Sequence, residues 1–304
     1  MDECEVLTLE VGEGDGGLRI DKWIALALPS LSRSRAAKLI ADGKISINEE
    51  RVSKPSIVAE IGDEVRVELP NLSLPEILPE DIPIKVLYED GDILVVDKPR
   101  GMVVHPAPGH YSGTLVNALL YHIKDLSGIN GVLRPGIVHR IDRDTTGSLL
   151  VCKNDLAHRS IAEALKEHSI YRSYRAIVHG RIAEDGTVDA PICRSRKDRK
   201  KMAVSPDGKR AVTHYRVIEN FRDFSYIECV LETGRTHQIR VHMSHIGHPV
   251  LGDTVYGSGK SPFATKGQML HAMELGFKQP RTGVEIRVAS PLPEDFQHIL
   301  SSLM

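Results

Sequence analysis

Residues 70–83 most constrain what this chain can become. They carry Pro70, Pro75, Pro79 and Pro83, three acids and no Lys or Arg. Proline fixes φ and removes the backbone donor, so such a stretch cannot continue a helix or enter a central strand. It reads as a stiff linker. At 304 residues the chain is long enough for two domains. The linker divides it into a small N-terminal part and a larger C-terminal part, residues 84–304.

The small part subdivides by charge. Residues 1–17 hold six acids and no Lys or Arg, whereas 18–54 hold eight Lys/Arg against four acids. Residues 18–69 read as a compact α+β unit. Trp23, Ile24, Ala27 and Leu28 share one helical face. Ser32 is placed to cap a second helix with Ala36, Leu39 and Ile40 on its apolar face, and Gly43 to end it. Lys44–Ile47 and Glu64–Leu69 alternate as strands, the second entered through the turn-forming Gly62-Asp63.

Past residue 84, strands are expected near 93–96, 148–153, 171–178, 212–218, 225–232 and 284–288. Helices are expected near 112–122, 155–168 and 235–246. Their mixed order predicts an α+β domain on a largely antiparallel sheet. Cys4, Cys152, Cys193 and Cys229 form no close pair, so neither a zinc ribbon nor a disulfide framework is expected, in keeping with a reducing cytosol. An acidic N-terminus argues against a signal peptide, and no apolar run could span a bilayer. A cytoplasmic monomer that makes no membrane contact is the expectation.

The net charge of −2 hides a second basic patch: residues 193–210 hold eight Lys/Arg against two Asp. A neutral average with local cations suits a protein that meets phosphate on only part of its surface. Charge runs of this kind are equally common as solvated surface.

Three segments carry candidate chemistry. In His139-Arg140-Ile141-Asp142-Arg143-Asp144-Thr145-Thr146-Gly147, two acids and two arginines lie between apolar strands. The turn residues place them on a loop, where functional side chains concentrate. From the charges alone this could be a surface turn with local salt bridges. In Thr233–His242 a glycine turn opens a predicted helix. Arg235 would sit at its N-terminus, where free amides and the dipole favour an anion, sharing a face with Ile239 and His242. In Arg172–Val178, Tyr174, Ala176 and Val178 face one way, and Tyr174 could stack on a base or simply fill the core. A rival pattern is His237, His242, His245 and His248. Spacings of five, three and three scatter them over more than one helical face, and no HExxH accompanies them, which argues against a catalytic zinc site.

These blocks together resemble a known family. His139–Gly147 is similar to the HRLDxxTSG signature of the RluA/RluD-type pseudouridine synthases, with Ile141 for Leu and Thr146 for Ser. Arg235–Arg240 resembles the family's RTHQIR block, and Arg172–Val178 its KxYxAxV strand. Asp97-Lys98-Pro99 through Pro106 resembles its NKPxGLVVHP block. Gly247-His248-Pro249 through Gly252-Asp253, Tyr256-Gly257 and Leu270-His271-Ala272 follow in order. Residues 18–69 resemble the alpha-L (S4-like) RNA-binding motif, through Arg19–Trp23, Ser32–Arg35, Ile40–Ile45 and Gly62–Val65. Asn48-Glu49 stands where Asn-Gly is common.

The resemblance implies an enzyme that isomerises chosen uridines to pseudouridines in large-subunit (23S) ribosomal RNA, free or in a pre-ribosomal particle, without cofactor or metal. It assigns Asp142 as the catalytic carboxylate, Arg235 as its ionic partner and Tyr174 as the base-stacking residue. His139 and Arg140 would organise the loop and approach RNA, with Ile239 in the substrate pocket. Arg33, Arg35, Lys38 and Lys44 would be the RNA-facing cations of the small domain. Three routes are open to the carboxylate: attack at the anomeric carbon, attack at ring carbon six, or removal of the 2′ proton. The competing expectation is a non-catalytic rRNA-binding assembly factor, which has no need of Asp142, Arg235 and Tyr174 together.

Overall fold

A computed structural model of the chain describes residues 4–70, 77–106, 110–129, 131, 134–199, 201–257 and 261–304. The chain forms two compact units, divided after residue 75. Much of the proposed linker, residues 71–76, lies outside the described residues, as does Lys200 of the second basic run.

The first unit runs β1 (Cys4–Glu10), α1 (Ile20–Ala27), α2 (Arg33–Ala41), β2 (Ile45–Ile47), β3 (Glu50–Arg51) and β4 (Glu64–Pro70). Its sheet has the order β1-β4-β2-β3. The acidic N-terminal segment therefore contributes a strand: Leu7 pairs with Val67 and Leu9 with Val65, and Val11 just beyond β1 is buried. Leu7 and Leu9 pack against the core. Trp23, Ile24, Ala36, Leu39 and Ile40 fill the space beneath the sheet. Ser32 caps α2 by accepting from the Arg35 N–H (3.3 Å), and Gly43 follows the helix at φ +68°. The β2–β3 hairpin turns on Asn48 (φ 48°) and Glu49 (φ 71°). Both lie in the left-handed region that a two-residue hairpin demands, so the turn keeps its geometry although Glu replaces the expected glycine.

The second unit opens with β5 (Lys85–Glu89), β6 (Ile93–Lys98), α3 (Leu115–His122), β7 (Thr146–Cys152) and α4 (Asp155–Lys166). It continues through β8 (Tyr171–His179), β9 (Gly186–Asp189), β10 (Ile192–Arg194), β11 (Met202–Val204), β12 (Val212–Asn220) and β13 (Phe224–Leu231). It ends with α5 (Gln238–His245), β14 (Leu270–Lys278), β15 (Glu285–Ala289) and α6 (Glu294–Leu303). Among the described residues the main sheet has the order β5-β6-β7-β14-β8-β13-β12-β9, with β15 on β14. Every pairing in it is antiparallel except β7 with β14. The α+β architecture on a largely antiparallel sheet is the one expected.

Both faces of the sheet are covered, which is why β6 and β7 read as unbroken apolar runs rather than as alternation. Ile93, Val95 and Leu150 pack with α4, whereas Leu94, Val96, Leu149 and Val151 join α3 and α5 on the opposite face. Tyr174, Ala176 and Val178 of β8 lie on that second face, and Ile177 on the other. Gly147 (φ +109°) lets β7 lie against β14, since a Cβ there would collide with the Ala272 carbonyl.

Candidate active site

A cavity of about 540 Å³ opens on the α5 face of the sheet. It is lined by the 138–142 loop, by Arg172 and Tyr174 of β8, and by Gly234–Arg240. All three sequence segments thus converge on one space.

Asp142 sits on the loop before β7, and cations behind the loop hold it. Lys98 is fully buried and its Nζ donates to the carbonyls of Pro99, Met102 and Arg143, each at 2.9 Å. Arg100 Nη1 donates to the Asp144 carbonyl (2.6 Å), and the Thr145 N–H to the Asp142 carbonyl (3.1 Å). Burial pushes Lys98 down to about 7 against the pull of Asp144 and Asp142. Two side chains from the 98–100 segment therefore fix the backbone on which the carboxylate stands, as outer groups commonly orient a reacting one.

The ionic partner of Asp142 is Arg240, not Arg235. Arg240 Nη1 lies 2.9 Å from Asp142 Oδ2, while its Nε and Nη2 form a fork on Asp253 at 2.7 and 3.0 Å. Arg235 lines the same cavity, but its Nε donates to the Arg210 carbonyl (3.0 Å) and its N–H to Gln238 Oε1 (2.9 Å). The expected helix over 235–246 begins only at Gln238. The Gln238 carboxamide explains the difference: its oxygen accepts from Thr233 Oγ1 and the Arg235 N–H, tying 233–235 into a separate turn. Arg235 is therefore off the helix, and Arg240, one turn in, points at Asp142.

Burial would push Arg240 down and Asp253 up. Their pairing overrides both, holding the guanidinium above and the carboxyl below its ordinary range. Asp253 also accepts from the Val255 and Tyr256 N–H groups. The Tyr256 ring lies under the guanidinium, 5.1 Å from its carbon, a favourable stacking for a buried cation.

His237 precedes α5 at φ +57°, an uncommon conformation for a residue other than glycine, and one that collects at functional sites. Its Nδ1 lies 2.7 Å from the Tyr256 hydroxyl, which accepts from the Met202 N–H. The other ring nitrogen, Nε2, lies 3.8 Å from Asp142 Oδ1. Burial lowers the His237 pKa despite Asp142, so the ring is neutral at pH 7. Asp142 has one oxygen engaged by Arg240, and Oδ1 faces the cavity beside His237. Its side chain is 16% exposed.

Tyr174 is buried in the cavity wall, and burial raises its pKa, so it is a phenol rather than a phenolate. His139 accepts from the Leu150 N–H at 2.9 Å, and burial lowers it to about 3. It is a neutral strut that binds the loop to β7. Arg140 is exposed at the rim, and Ile239 is buried in the wall.

The histidine cluster disperses. His242 bonds Thr213 and Ala190, His248 bonds the His179 carbonyl, and His237 bonds Tyr256. Among the described residues no group of His, Cys, Asp and Glu is placed to hold a metal ion.

In the first unit, Arg33 Nε pairs with the buried Asp21 carboxylate at 3.0 Å while its side chain stays 56% exposed. Lys44 lies 3.6 Å from Glu68, and Lys38 is exposed. Arg35 is half-buried.

Sequence reasoning missed Arg240, His237, Asp253, Tyr256, Lys98 and Arg100 as site residues. Each lies inside or beside a family-like block, so the signal was present; the pairing of particular side chains was not.

A family model for RNA pseudouridylate synthase matches residues 92–245, so the chain belongs to that family of RNA-modifying enzymes. An S4 domain model matches residues 18–65. Similar proteins include an uncharacterized RNA pseudouridine synthase, YlyB, of Bacillus subtilis, 52% identical over 94% of each chain. Ribosomal large subunit pseudouridine synthase D of Zymomonas mobilis is 48% identical over 95% of this chain and 94% of that one. Among solved structures, human RNA pseudouridylate synthase domain containing 1 superposes with a TM-score of 0.56 at 25% identity, covering 74% of this chain and 96% of that one.

Proposed function

We propose that this enzyme converts particular uridines of large-subunit ribosomal RNA to pseudouridine, with Asp142 as the reacting carboxylate. The observation that carries the reading is the setting of Asp142: one oxygen held by Arg240, the other facing a cavity with room for a base. Relatives bearing the name ribosomal large subunit pseudouridine synthase D support the choice of RNA.

The reaction needs the glycosidic bond broken, the uracil turned, and a bond made from ring carbon five. The free Oδ1 of Asp142 is the oxygen available for anomeric attack, ring attack or 2′-proton removal. The Arg240 fork fixes its direction, and the neutral His237 ring stands beside it, with Nε2 at 3.8 Å, without adding a competing charge. Tyr174 offers a ring face and a protonated hydroxyl to the base. The uridine must leave its stack to enter, which is least costly in an RNA loop.

Residues 18–69 would act as an RNA-binding domain joined through 70–83 to the catalytic domain, 84–304. Arg35, Lys38, Lys44 and the outer nitrogens of Arg33 would meet phosphate. Arg140 at the rim and the basic run 194–201 would hold the RNA beside the cavity. The protein would work as a cytoplasmic monomer. Among the described residues no helix is long and apolar enough to cross a membrane.

The test is tritium release from large-subunit rRNA transcribed with uridine labelled at ring carbon five. The wild type releases the label and Asp142→Asn releases none. Failure of the wild type on both free RNA and pre-ribosomal particles would leave a binding factor as the better reading.

A further inference from the structure

Arg172 is a buried cation in the cavity wall with no acidic partner. Only 5% of its surface is exposed, and its Nη2 donates to the Glu232 carbonyl at 2.7 Å. Its Nε is buried and bonds nothing, and among the described residues no carboxylate pairs with the guanidinium. Nη1 faces the hollow beside Gly234, where a Cβ would lie 2.6 Å from it. A side chain at position 234 would therefore displace the end of the Arg172 side chain. Isolated buried charge is expensive, and such a group is normally paired or neutralised. A guanidinium can do neither by losing its proton. No described carboxylate supplies a counter-charge, and the guanidinium lines the cavity that a substrate would enter.

We propose that Arg172 receives the negative charge that the uracil ring carries during the reaction, donating from Nη1 to a ring carbonyl oxygen. The inference rests on reading the cavity as the pseudouridine-forming site. When the glycosidic bond breaks, its electron pair goes to N1 and spreads to the two carbonyl oxygens. Ring attack at carbon six likewise places charge on the carbonyl at carbon four. The pair then returns through carbon five to make the new bond to the sugar. One proton leaves carbon five and one joins N1, so the ring ends neutral. A donor aimed in advance at charge that exists only during the reaction lowers the barrier without tightening ground-state binding.

Two features favour the base over a phosphate. Arg172 is deep, whereas Arg140 at the rim is exposed, and phosphate stays on the RNA's outer surface. Arg172 also stands two residues before Tyr174 on the same face of β8, so both reach the space a base would fill.

The test compares wild type, Arg172→Gln, Arg172→Lys, Arg172→Ala and Gly234→Ala by single-turnover tritium release with enzyme in excess, and by filter binding across salt concentrations. Arg172→Gln is expected to slow the step by about 10²-fold or more, with affinity and salt slope little changed. Arg172→Lys, which keeps a cation but not the fork, should fall between. Methylguanidine should restore part of the rate to Arg172→Ala, which a purely structural role would not allow. Gly234→Ala keeps every charge but displaces Nη1, and should slow the step too. It carries the test if Arg172→Gln melts early. An unchanged rate in Arg172→Gln and Gly234→Ala would overturn the proposal. So would weaker binding with a shallower salt slope and a normal rate at saturation, which marks a phosphate contact. Wild-type release in the same assay separates failure of this inference from failure of the functional reading.

Discussion

Arg240 Nη1 meets Asp142 Oδ2 at 2.9 Å across 98 residues of sequence, with the rest of the same guanidinium forked on Asp253. The reacting carboxylate is thus aimed by a planar cation that is itself anchored at two points. A lysine in its place would be a compact point charge without the planar fork that holds Asp142 and Asp253 in fixed directions. Arg240→Lys should therefore lower single-turnover tritium release by about 10²-fold, since small misplacement of a reacting group has effects of that size. RNA affinity by filter binding should hold. Arg235→Lys should cost much less, because the Arg235 side chain bonds the Arg210 carbonyl rather than Asp142. Equal losses in the two variants would count against this division.

Glu228 on β13 lies behind the Tyr174 strand, bonded by Arg175, by Arg216 at 2.9 Å and by Ser173 at 2.9 Å. Burial alone would raise its carboxyl, yet these donors lower it from 4.5 to about 2. A depressed folded pKa means the stabilisation is present above pH 4.5 and is lost as pH falls toward 2. Urea midpoints at pH 6, 4 and 3 should drop steeply for the wild type and less so for Glu228→Gln. At pH 6 the variant should itself be weaker by about 1–3 kcal/mol, the cost of replacing a charged acceptor of Arg175 and Arg216 by a neutral one. Parallel pH profiles would exclude Glu228 as a source of the acid sensitivity.

Much of this was legible in the sequence, for definite reasons. Burial patterns give elements: the Ser32 cap, the Gly43 stop and the apolar runs of β6 and β7 all mark real boundaries. Motif blocks give the neighbourhood of the site. What stayed hidden depends on side-chain direction and on contacts distant in sequence. Arg235 and Arg240 stand in one block and look equivalent until Gln238 ties off the turn and only Arg240 reaches Asp142. Lys98 looks like any exposed lysine, yet it is buried against three carbonyls. β1 lies in a segment marked in the sequence only by its acids, and its partner strand begins 54 residues after it ends.

The Asn48-Glu49 turn carries strain that can be removed. A β-carbon in the left-handed region costs roughly 1–2 kcal/mol, offset in part by the greater entropy a glycine loses on folding. Glu49 (φ 71°) is exposed, so Glu49→Gly removes the strain without opening the core. The expected gain is about 1 kcal/mol in the first unit. Trp23 is the one tryptophan in the chain and is buried in that unit's core, so its fluorescence reports this unit alone. A higher urea midpoint by this signal is the expected outcome; a lower one would show that the Glu49 side chain contributes more than its backbone costs.

The first unit's role in binding has its own signature. Each phosphate contact releases counterions, so its loss lowers the slope of log affinity against log salt by about 0.7–0.9. Replacing Arg33, Arg35 and Lys38 together by Gln should flatten that slope and weaken binding across RNAs, while bound RNA is still converted at the wild-type rate. The three should not contribute equally. Arg33 gives its Nε to Asp21, whose buried carboxylate also pairs with Arg19 at 3.1 Å. Arg33→Gln alone should therefore cost stability, by the Trp23 signal, as well as affinity. Lys38→Gln should cost affinity only, since Lys38 is exposed on α2. A salt slope unchanged in the triple variant would mean that the second unit alone carries the phosphate contacts.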